Sequence, residues 1–328
     1  MSRKIAVVGA GIAGASCARA LANAGLSVSV FEKARGPGGR MATRRADSPL
    51  GKLQFDHGAP YFSAFGDDMR ERVADWEARG LCAAWDAAFE MIGASGAASV
   101  APGEHYVGLP RMSVLIRDLL GKTELHTRAR ITHVRPGNSG PTICTETEEF
   151  GPFDGAVIAL PAPQAAPLLA ELAPELSARA AKVEMDPVWS AMVSFEAPLE
   201  LPYGAAYVGN SPLFLISRDS GKPGRNGAES WVLLSTTEWA EDHIGDEPAA
   251  VAAALLEALW KVTGLAQQAA AFSAAHRWRY ARVHKPLPEP WFWDPAHAVG
   301  ACGDWFRLGS AEGAYVSGLH LAQEILKD

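Results

Sequence analysis

Three glycines near the start of the chain, in the order Gly9-x-Gly11-x-x-Gly14, constrain its fold more than any other feature. A short, almost continuously apolar run precedes them and predicts a buried parallel strand. Residues 13–24, rich in small side chains, predict the helix that follows, and residues 26–31 predict a second strand. In such a turn the first glycine permits the sharp bend, the second lets the backbone approach a pyrophosphate, and the third lets helix and strand pack closely. The chain therefore begins with a βαβ unit suited to a dinucleotide.

The acidic residue Glu32 ends the second predicted strand, 18 residues after Gly14. A carboxylate at this place can accept hydrogen bonds from both hydroxyls of an adenosine ribose, and it would repel a ribose 2′-phosphate. The first helical residues, Ile12 and Ala13, offer unpaired N–H groups and a partial positive charge to phosphates. With the neighbouring Lys33 they complete the predicted dinucleotide site, which by itself does not distinguish FAD from NAD.

A second glycine motif, Gly38-Gly39-Arg40-Met41, follows shortly afterwards. The paired glycines permit another close approach of the backbone, and the arginine can neutralise a pyrophosphate. We expect Arg40 and Met41 to contact the cofactor. A simple NAD dehydrogenase has no need for this second clamp, so the motif favours FAD.

A third motif lies near the end of the chain, where a predicted strand, residues 298–302, leads into Gly303 and Asp304. A carboxylate at a strand end can bind a polyol hydroxyl, which in FAD belongs to the ribitol chain. The final predicted helix, residues 311–327, begins with Ala311, whose amide we expect to lie nearest the flavin O2 atom. The helix dipole would stabilise negative charge at N1 and O2 of a reduced flavin. The whole first turn is assigned to the cofactor site: Ala311, Glu312, Gly313 and Ala314.

Taken together, these motifs resemble the FAD signature of the flavin amine-oxidase superfamily. In that resemblance the turn at residues 56–59 is similar to the segment that passes beside the flavin ring. Residues 125–134 resemble the strand whose backbone meets adenine. The implied cofactor is noncovalent FAD. The resemblance adds five residues to the cofactor site: Asp56, His57, Gly58, Ala59 and Ile131.

Within this superfamily, residues 275–283, the C-terminal Gly-Asp-x-Phe sequence and the short chain resemble the renalases, especially the bacterial ones. The resemblance covers nearly the full length and is strongest at residues 1–62 and 275–326. It implies an oxidase that takes a hydride from dihydro-NAD(P) isomers reduced at ring position 2 or 6. The products would be NAD(P)+ and hydrogen peroxide, formed from O2. This chemistry needs no catalytic acid or base, because a dihydropyridine becomes an aromatic pyridinium without losing a proton.

Two alternatives remain open. The first is an FAD-dependent amine oxidase or desaturase acting on a small molecule, which must deprotonate its substrate nitrogen. Relatives of that kind often place a lysine near flavin N5. No lysine of this sequence stands in a matching context, which favours a dihydronicotinamide as the substrate. The second alternative is a flavin-binding sensor without turnover. The lysines considered for the N5 position are Lys182, Lys222, Lys261 and Lys285.

The order of predicted elements indicates an α/β flavoprotein with two domains. A discontinuous Rossmann-like FAD domain is expected from residues 1–66, 105–162 and 275–328. A substrate domain with a mixed β-sheet and helices, of the amine oxidase or p-hydroxybenzoate hydroxylase type, is expected from residues 67–104 and 163–274.

Three further segments are predicted from periodicity between the motifs. Apolar residues at helical spacing predict one helix over residues 67–90. Residues 125–134 and 142–147 predict strands of a hairpin or meander.

Several side chains near the third motif have two possible roles. The arginines Arg277, Arg279 and Arg282 either form a solvated strand face or contact substrate phosphates. His57 and His276 are either structural or close to the reaction. The tryptophans either pack in the core or wall the active site: Trp278, Trp291, Trp293 and Trp305.

Composition limits the remaining possibilities. A formal net charge of -7 argues against nucleic-acid and anionic-membrane partners, which need basic patches. The four cysteines show no metal-binding spacing, which is typical of free thiols in a reducing compartment. We therefore expect a cytoplasmic protein without a metal, whose partners are a dinucleotide substrate and O2. The sequence leaves the oligomeric state open.

Overall fold

The structure is a computed structural model and describes residues 2–93, 96–99 and 103–328. Its helices are α1 (Ile12–Asn23), α2 (Asp67–Ala78), α3 (Ser113–Leu120), α4 (Ala162–Leu169), α5 (Pro174–Ala180), α6 (Thr237–Asp242), α7 (Pro248–Thr263) and α8 (Ala311–Ile325). Its strands are β1 (Lys4–Val8), β2 (Ser27–Glu32), β3 (Arg44–Ser48), β4 (Gly51–Phe55), β5 (Cys82–Ala84), β6 (Phe89–Gly93), β7 (Gly96–Ser99), β8 (Tyr106–Gly108), β9 (Glu124–Thr127), β10 (His133–Arg135), β11 (Thr142–Cys144), β12 (Glu149–Phe150), β13 (Gly155–Ile158), β14 (Met185–Phe195), β15 (Ala205–Val208), β16 (Leu213–Arg218), β17 (Glu229–Ser235), β18 (Phe272–Val283), β19 (Phe292–Asp294) and β20 (Val299–Ala301). In these described ranges, no helix combines the length and the apolarity needed to cross a membrane.

A six-stranded sheet carries the predicted βαβ unit. Its strand order is β19-β20-β13-β1-β2-β9, and every pair except β19–β20 is parallel. The central strand β1 is almost wholly buried because helices cover both faces of a parallel sheet. Helix α8, from the end of the chain, packs against α1 on this sheet. The two chain ends therefore meet, as the discontinuous Rossmann-like fold predicts.

A second sheet of seven strands has the order β18-β14-β17-β16-β15-β6-β7 and is mainly antiparallel. Its central strands β14 and β17 are buried over most of their length. Helix α7 packs on one face through an apolar cluster that includes Trp189 and Trp260. The opposite face joins the core that surrounds α1. The predicted fold class is thus confirmed: an α/β protein whose second domain combines a mixed β-sheet with helices.

Two of the predicted elements are wrong in extent. The predicted helix over residues 67–90 ends at Ala78, because Gly80 adopts a left-handed conformation (φ +67°) and the chain then enters β5. The predicted strand over residues 125–134 is divided between two sheets. Arg128, with φ +60°, interrupts it after β9, and β10 joins the separate antiparallel sheet of β10, β11 and β12.

The prolines that end β13 also begin a helix that sequence reasoning did not predict. Pro161 precedes α4, and Pro163 lies in its first turn, where a missing N–H costs no helical hydrogen bond. Helices α4 and α5 pack against the six-stranded sheet. Strand β18 crosses the domain limit predicted at residue 275 and pairs with β14 throughout. The five domain ranges themselves stay a prediction.

Candidate functional site

A groove of about 1450 Å³ lies between the carboxyl ends of the six-stranded sheet and one face of the seven-stranded sheet. Pockets for one drug-sized ligand are usually about 300–1,000 Å³, so this groove has room for more than one such molecule. Fifteen of the predicted site residues line it: Gly9, Gly11, Ile12, Ala13, Glu32, Lys33, Arg40, Met41, His57, Gly58, Ala59, Ile131, Asp304, Ala311 and Ala314. The other four lie behind it: Gly14, Asp56, Glu312 and Gly313.

The glycine turn forms one end of the groove. Gly9 has φ +109°, and a Cβ atom on Gly14 would lie only 2.0 Å from the Gly9 carbonyl oxygen. Around Gly11, by contrast, a Cβ would meet no described atom within 4 Å. Gly11 is also the N-cap of α1, and no side chain there accepts its first N–H groups within the described structure. The three glycines therefore have different roles: two allow close packing, and the middle one leaves space and free donors for a phosphate.

Glu32 is buried beside this turn. Its carboxylate oxygens accept hydrogen bonds from the backbone N–H groups of Ala10, at 3.1 Å, and Ala34, at 2.8 Å. Each carboxylate oxygen can accept a second bond, so both remain able to bind a ribose hydroxyl. Lys33 and Ile131 line the same end of the groove. The geometry suits an adenosine, as the sequence predicts.

Arg40 and Asp304 come from the second and third motifs and form a bidentate ion pair. The guanidinium donates at 2.5 Å and 2.6 Å to the two carboxylate oxygens, and at 3.1 Å to the Ala281 carbonyl. Asp304 is buried and Arg40 is partly exposed to the groove. The two motifs, 264 residues apart in the chain, thus make one wall. Sequence reasoning placed both residues at the cofactor but did not foresee that they pair with each other.

Helix α8 points its N-terminus at the groove. The Ser310 hydroxyl caps the helix by accepting the Gly313 N–H at 3.0 Å, and Ala311 and Ala314 line the groove. The Glu312 carboxylate is turned away and accepts the N–H groups of Phe65, at 3.1 Å, and Gly66, at 2.6 Å. Its role is to fix this loop, whereas Ser310, Ala311 and Ala314 at the start of the helix line the groove.

Close contact between α8 and α1 depends on a glycine that sequence reasoning missed. A Cβ on Gly318 would lie 2.0 Å from the Ala13 carbonyl oxygen. The signal was present, since a glycine inside an otherwise helical sequence indicates close approach of another backbone.

The turn after β4 brings His57 and Gly58 to the groove. A Cβ on Gly58 would lie 2.0 Å from the Arg40 carbonyl oxygen, and the Trp278 indole N–H donates to the His57 carbonyl at 3.0 Å. Burial, with the nearby His276 and Arg44, lowers the pKa of His57 to about 4. His57 is therefore neutral near pH 7. Its Nδ1 lies 3.1 Å from the Ala42 carbonyl oxygen, so this nitrogen must carry the proton to donate there.

Asp56 belongs to a buried cluster of four charges behind this turn. Arg225 and Lys222 donate to Asp56, Lys222 also donates to Asp219, and the Thr43 hydroxyl donates to Asp56 at 2.6 Å. Burial alone would raise the pKa of Asp56, but the charges of Lys222 and Arg225 hold it below its usual value. Burial, and then the nearby Asp56, raise the pKa of Asp219 above its usual value. Lys222 therefore has a structural partner and does not line the groove.

The remaining part of the groove is aromatic and basic. Tyr61 lines it and shares a hydroxyl–hydroxyl hydrogen bond with Tyr207. Phe214 lies beneath the guanidinium of Arg282, whose central carbon is 4.0 Å from the ring centroid. His276 and Trp278 complete the wall next to His57. We call this part of the groove the substrate half; its lining residues are Tyr61, Phe214, His276, Arg277, Trp278, Arg279 and Arg282.

Of the four tryptophans considered, Trp278 lines the groove. Trp305 is fully buried and donates to the Leu160 carbonyl. Trp291 and Trp293 pack near α8, where Trp291 lies against His320 and Trp293 bonds Asp328.

The charged residues of the groove are unevenly distributed. Among its described lining residues, the acidic ones are Glu32, which is bound by two backbone N–H groups, and Asp304, which is bound by Arg40. Basic residues line it from end to end: Lys33, Arg40, Arg130, Arg277, Arg279 and Arg282. The substrate half therefore has positive side chains and no described carboxylate.

Comparison with known proteins shows the families to which the chain is similar. A family model described as an NAD(P)-binding Rossmann-like domain matches residues 7–76, and one described as a flavin containing amine oxidoreductase matches residues 73–326. Among solved structures, cyclohexylamine oxidase from Brevibacterium oxydans IH-35A is similar at 14% identity and a TM-score of 0.76, over 100% of this chain and 99% of that one. Putrescine oxidase bound to putrescine is similar at 13% identity and a TM-score of 0.70, over all of both chains. An oxidoreductase from Methanosarcina mazei is similar at 11% identity and a TM-score of 0.67, over 99% and 100%. At these identities the structures show the fold alone.

The cofactor follows from the family match and the groove together. The open space at Gly11, the carboxylate of Glu32, and the helix N-termini of α1 and α8 lie along one continuous surface. This arrangement fits FAD, and FAD is the cofactor of this chain.

Proposed function

Because this chain belongs to the flavin containing amine oxidoreductases, we propose that it is an FAD-dependent oxidase of dihydronicotinamide dinucleotides. Its substrates would be dihydro-NAD(P) isomers reduced at ring position 2 or 6, and its products NAD(P)+ and hydrogen peroxide. The resemblance of residues 1–62 and 275–326 to the renalases supports this assignment.

The observation that carries the proposal is the charge of the substrate half. Arg277, Arg279 and Arg282 line it, and no carboxylate does so among the described residues. A simple amine is a cation near pH 7 and would be repelled by this surface, whereas a dinucleotide brings a pyrophosphate that the arginines attract. The groove volume of about 1450 Å³ also suits a flavin and a second large ligand.

The chemistry requires positioning more than proton transfer. Bound along the glycine turn, Glu32 and the first turn of α8, FAD would supply the two-electron acceptor that links hydride removal from the substrate to the reduction of O2 to hydrogen peroxide. Trp278 and Gly58 fix the turn at residues 56–59, and the aromatic side chains of the substrate half would exclude water from a ring bound against them. The neutral His57 is not required as a base, because no proton leaves the dihydropyridine.

The second candidate is an amine oxidase or desaturase. Two similar structures are amine oxidases by name, and the aromatic wall around Tyr61 and Phe214 would suit an apolar amine. Such a reaction requires the neutral amine, so its rate should rise with pH as the substrate loses its proton. The dihydronicotinamide carries no such proton, and its hydride transfer should be nearly independent of pH between 6 and 9.

The test is anaerobic mixing of the purified holoenzyme with dihydro-NAD isomers made with borohydride. Flavin absorbance near about 450 nm reports reduction of the cofactor. We expect rapid bleaching by the 2- or 6-dihydro isomer and none by ordinary 4-dihydro NADH, at a rate that does not change with pH. Bleaching by amines alone, with a rate that rises with pH, would replace the proposal with the second candidate. A flavin that neither class reduces would instead indicate a sensor without turnover.

A further inference from the structure

Arg282 differs from the other cations of the groove. It lies on β18, is half-buried, and faces the groove with its guanidinium stacked on Phe214. Within the described structure, no carboxylate comes within 4 Å of it and no carbonyl accepts its protons. Arg40, in contrast, is paired with Asp304, and Arg277 donates to the Ile244 carbonyl.

The groups around Arg282 leave its charge available. Asp186, its partner across the β14–β18 pairing, and Glu238 are the acids whose charges act on it, and neither lines the groove. The hydroxyls of Tyr61 and Tyr207 are also close enough to influence it. Burial lowers the pKa of Arg282, but a guanidinium begins so high that it stays protonated near pH 7. A half-buried cation that forms no ion pair within 4 Å among the described residues is costly unless an anion arrives.

Tyr61 can supply a second donor at the same place. The pair of tyrosine hydroxyls has two protons and uses one between the rings; when Tyr207 is the donor, the Tyr61 proton is left for a ligand. Burial raises the pKa of Tyr61, so it remains a neutral donor at any working pH. The site therefore offers a fixed guanidinium and a phenol proton, a combination that matches phosphate oxygens.

The distance between the turn at residues 56–59 and Tyr61 limits which phosphate of the substrate Arg282 could bind. Tyr61 follows Gly58 by three residues, so their Cα atoms are at most roughly 11 Å apart. A dihydronicotinamide on the flavin would thus place its ribose and first phosphate near Tyr61 and Arg282.

We infer that Arg282, supported by Phe214 and Tyr61, binds the phosphate attached to the nicotinamide ribose of the substrate. The site would accept dihydronicotinamide mononucleotide as well as the dinucleotide, and it would discriminate against the riboside, which lacks this phosphate. This inference rests on the proposed function and names the part of the substrate that is recognised.

The experiment compares three substrates in the anaerobic reductive half-reaction: the 6-dihydro isomers of NAD, of nicotinamide mononucleotide and of nicotinamide riboside. The variants are Arg282→Met, which keeps length without charge, and Arg282→Lys, which keeps the charge without the planar fork. Arg70→Met removes an exposed arginine outside the groove and is the matched control. Each titration gives the half-saturating concentration and the limiting rate of flavin reduction.

We expect Arg282→Met to raise the half-saturating concentration of both phosphate-bearing substrates roughly tenfold to a hundredfold. The riboside should change less than about twofold, and Arg282→Lys should recover part of the loss. Because the riboside still needs an intact flavin site, it also reports that the variant is folded.

Two outcomes would overturn the inference separately from the proposed function. If wild-type protein binds the riboside as tightly as the nucleotides, or if Arg282→Met weakens all three substrates equally, the inference fails and the oxidase activity stands. If no dihydronicotinamide reduces the wild-type flavin, the proposed function fails, and the inference fails with it.

Discussion

The buried charge cluster behind the turn at residues 56–59 provides the most demanding test of how this fold is held together. Asp56 is 1% exposed, and its carboxylate is bound by Arg225, Lys222 and Thr43. Asp56→Asn keeps the shape of the side chain but removes its charge. Of the four charged residues in the cluster, Lys222 and Arg225 then have Asp219 as their one remaining negative partner.

Removing one partner of a buried ion pair usually costs about 3–5 kcal/mol, because an uncompensated charge stays in the interior. Whole domains have unfolding free energies of about 5–15 kcal/mol, so this loss is a large fraction of the total. We therefore expect Asp56→Asn to lower the free energy of unfolding by about 3 kcal/mol or more. The turn at His57 follows directly, so the variant should also bind FAD more weakly.

Urea unfolding followed by tryptophan fluorescence measures this loss, on flavin-free protein and on protein saturated with FAD. The matched control is Asp75→Asn, which breaks exposed ion pairs with Arg72 and Arg79 and should cost less than about 1 kcal/mol. The double variant Asp56→Asn/Lys222→Met removes one charge of each sign. It should be more stable than the sum of the single losses predicts, by at least about 1 kcal/mol.

An Asp56→Asn protein within about 1 kcal/mol of wild type would refute this reasoning, since the cluster would then not depend on its buried charge. Additive losses in the double variant would show that Asp56 and Lys222 act independently.

Three further predictions concern the cofactor end of the groove. Gly11→Ala should leave the thermal stability of the flavin-free protein almost unchanged but reduce its flavin content. Gly14→Ala should unfold the protein, because its Cβ would meet the Gly9 carbonyl. Equal thermal stabilities of the two flavin-free variants would contradict this prediction. Arg40→Lys loses the bidentate contact to the Asp304 carboxylate and should raise the dissociation constant of FAD about tenfold. Titration of flavin-free protein with FAD measures this constant. An unchanged constant would exclude a role for the planar guanidinium in cofactor binding. The pKa of His57 falls from 6.5 when unfolded to about 4 when folded, so its contribution to stability is complete above pH 6.5 and is lost as the pH falls toward 4. Between pH 7 and pH 5 this loss is about 2 kcal/mol, and urea unfolding of His57→Asn should show a shallower pH dependence than wild type.

Much of the cofactor site was predictable because its determinants are local. The turn at Gly9, Gly11 and Gly14 needs only a strand before it and a helix after it, and apolar periodicity reports both. Glu32 is positioned by the register of the second strand, which is also local. The first turn of α8 could be found for the same reason, although Glu312 turned out to fix a neighbouring loop.

Only the tertiary structure decided which charges meet. Arg40 pairs with Asp304 across 264 residues, and Asp56 with Arg225 across 169. No local pattern encodes such pairs, because they depend on how the strands of two sheets are ordered in space. The same ordering stacks Arg282 on Phe214 with no ion pair within 4 Å among the described residues, and so makes one of three similar arginines of β18 a candidate for binding substrate. The sequence by itself predicted a flavin, because the residues expected to contact FAD stand in short motifs. The tertiary structure determined what the flavin faces, because that surface is assembled from strands far apart in the chain.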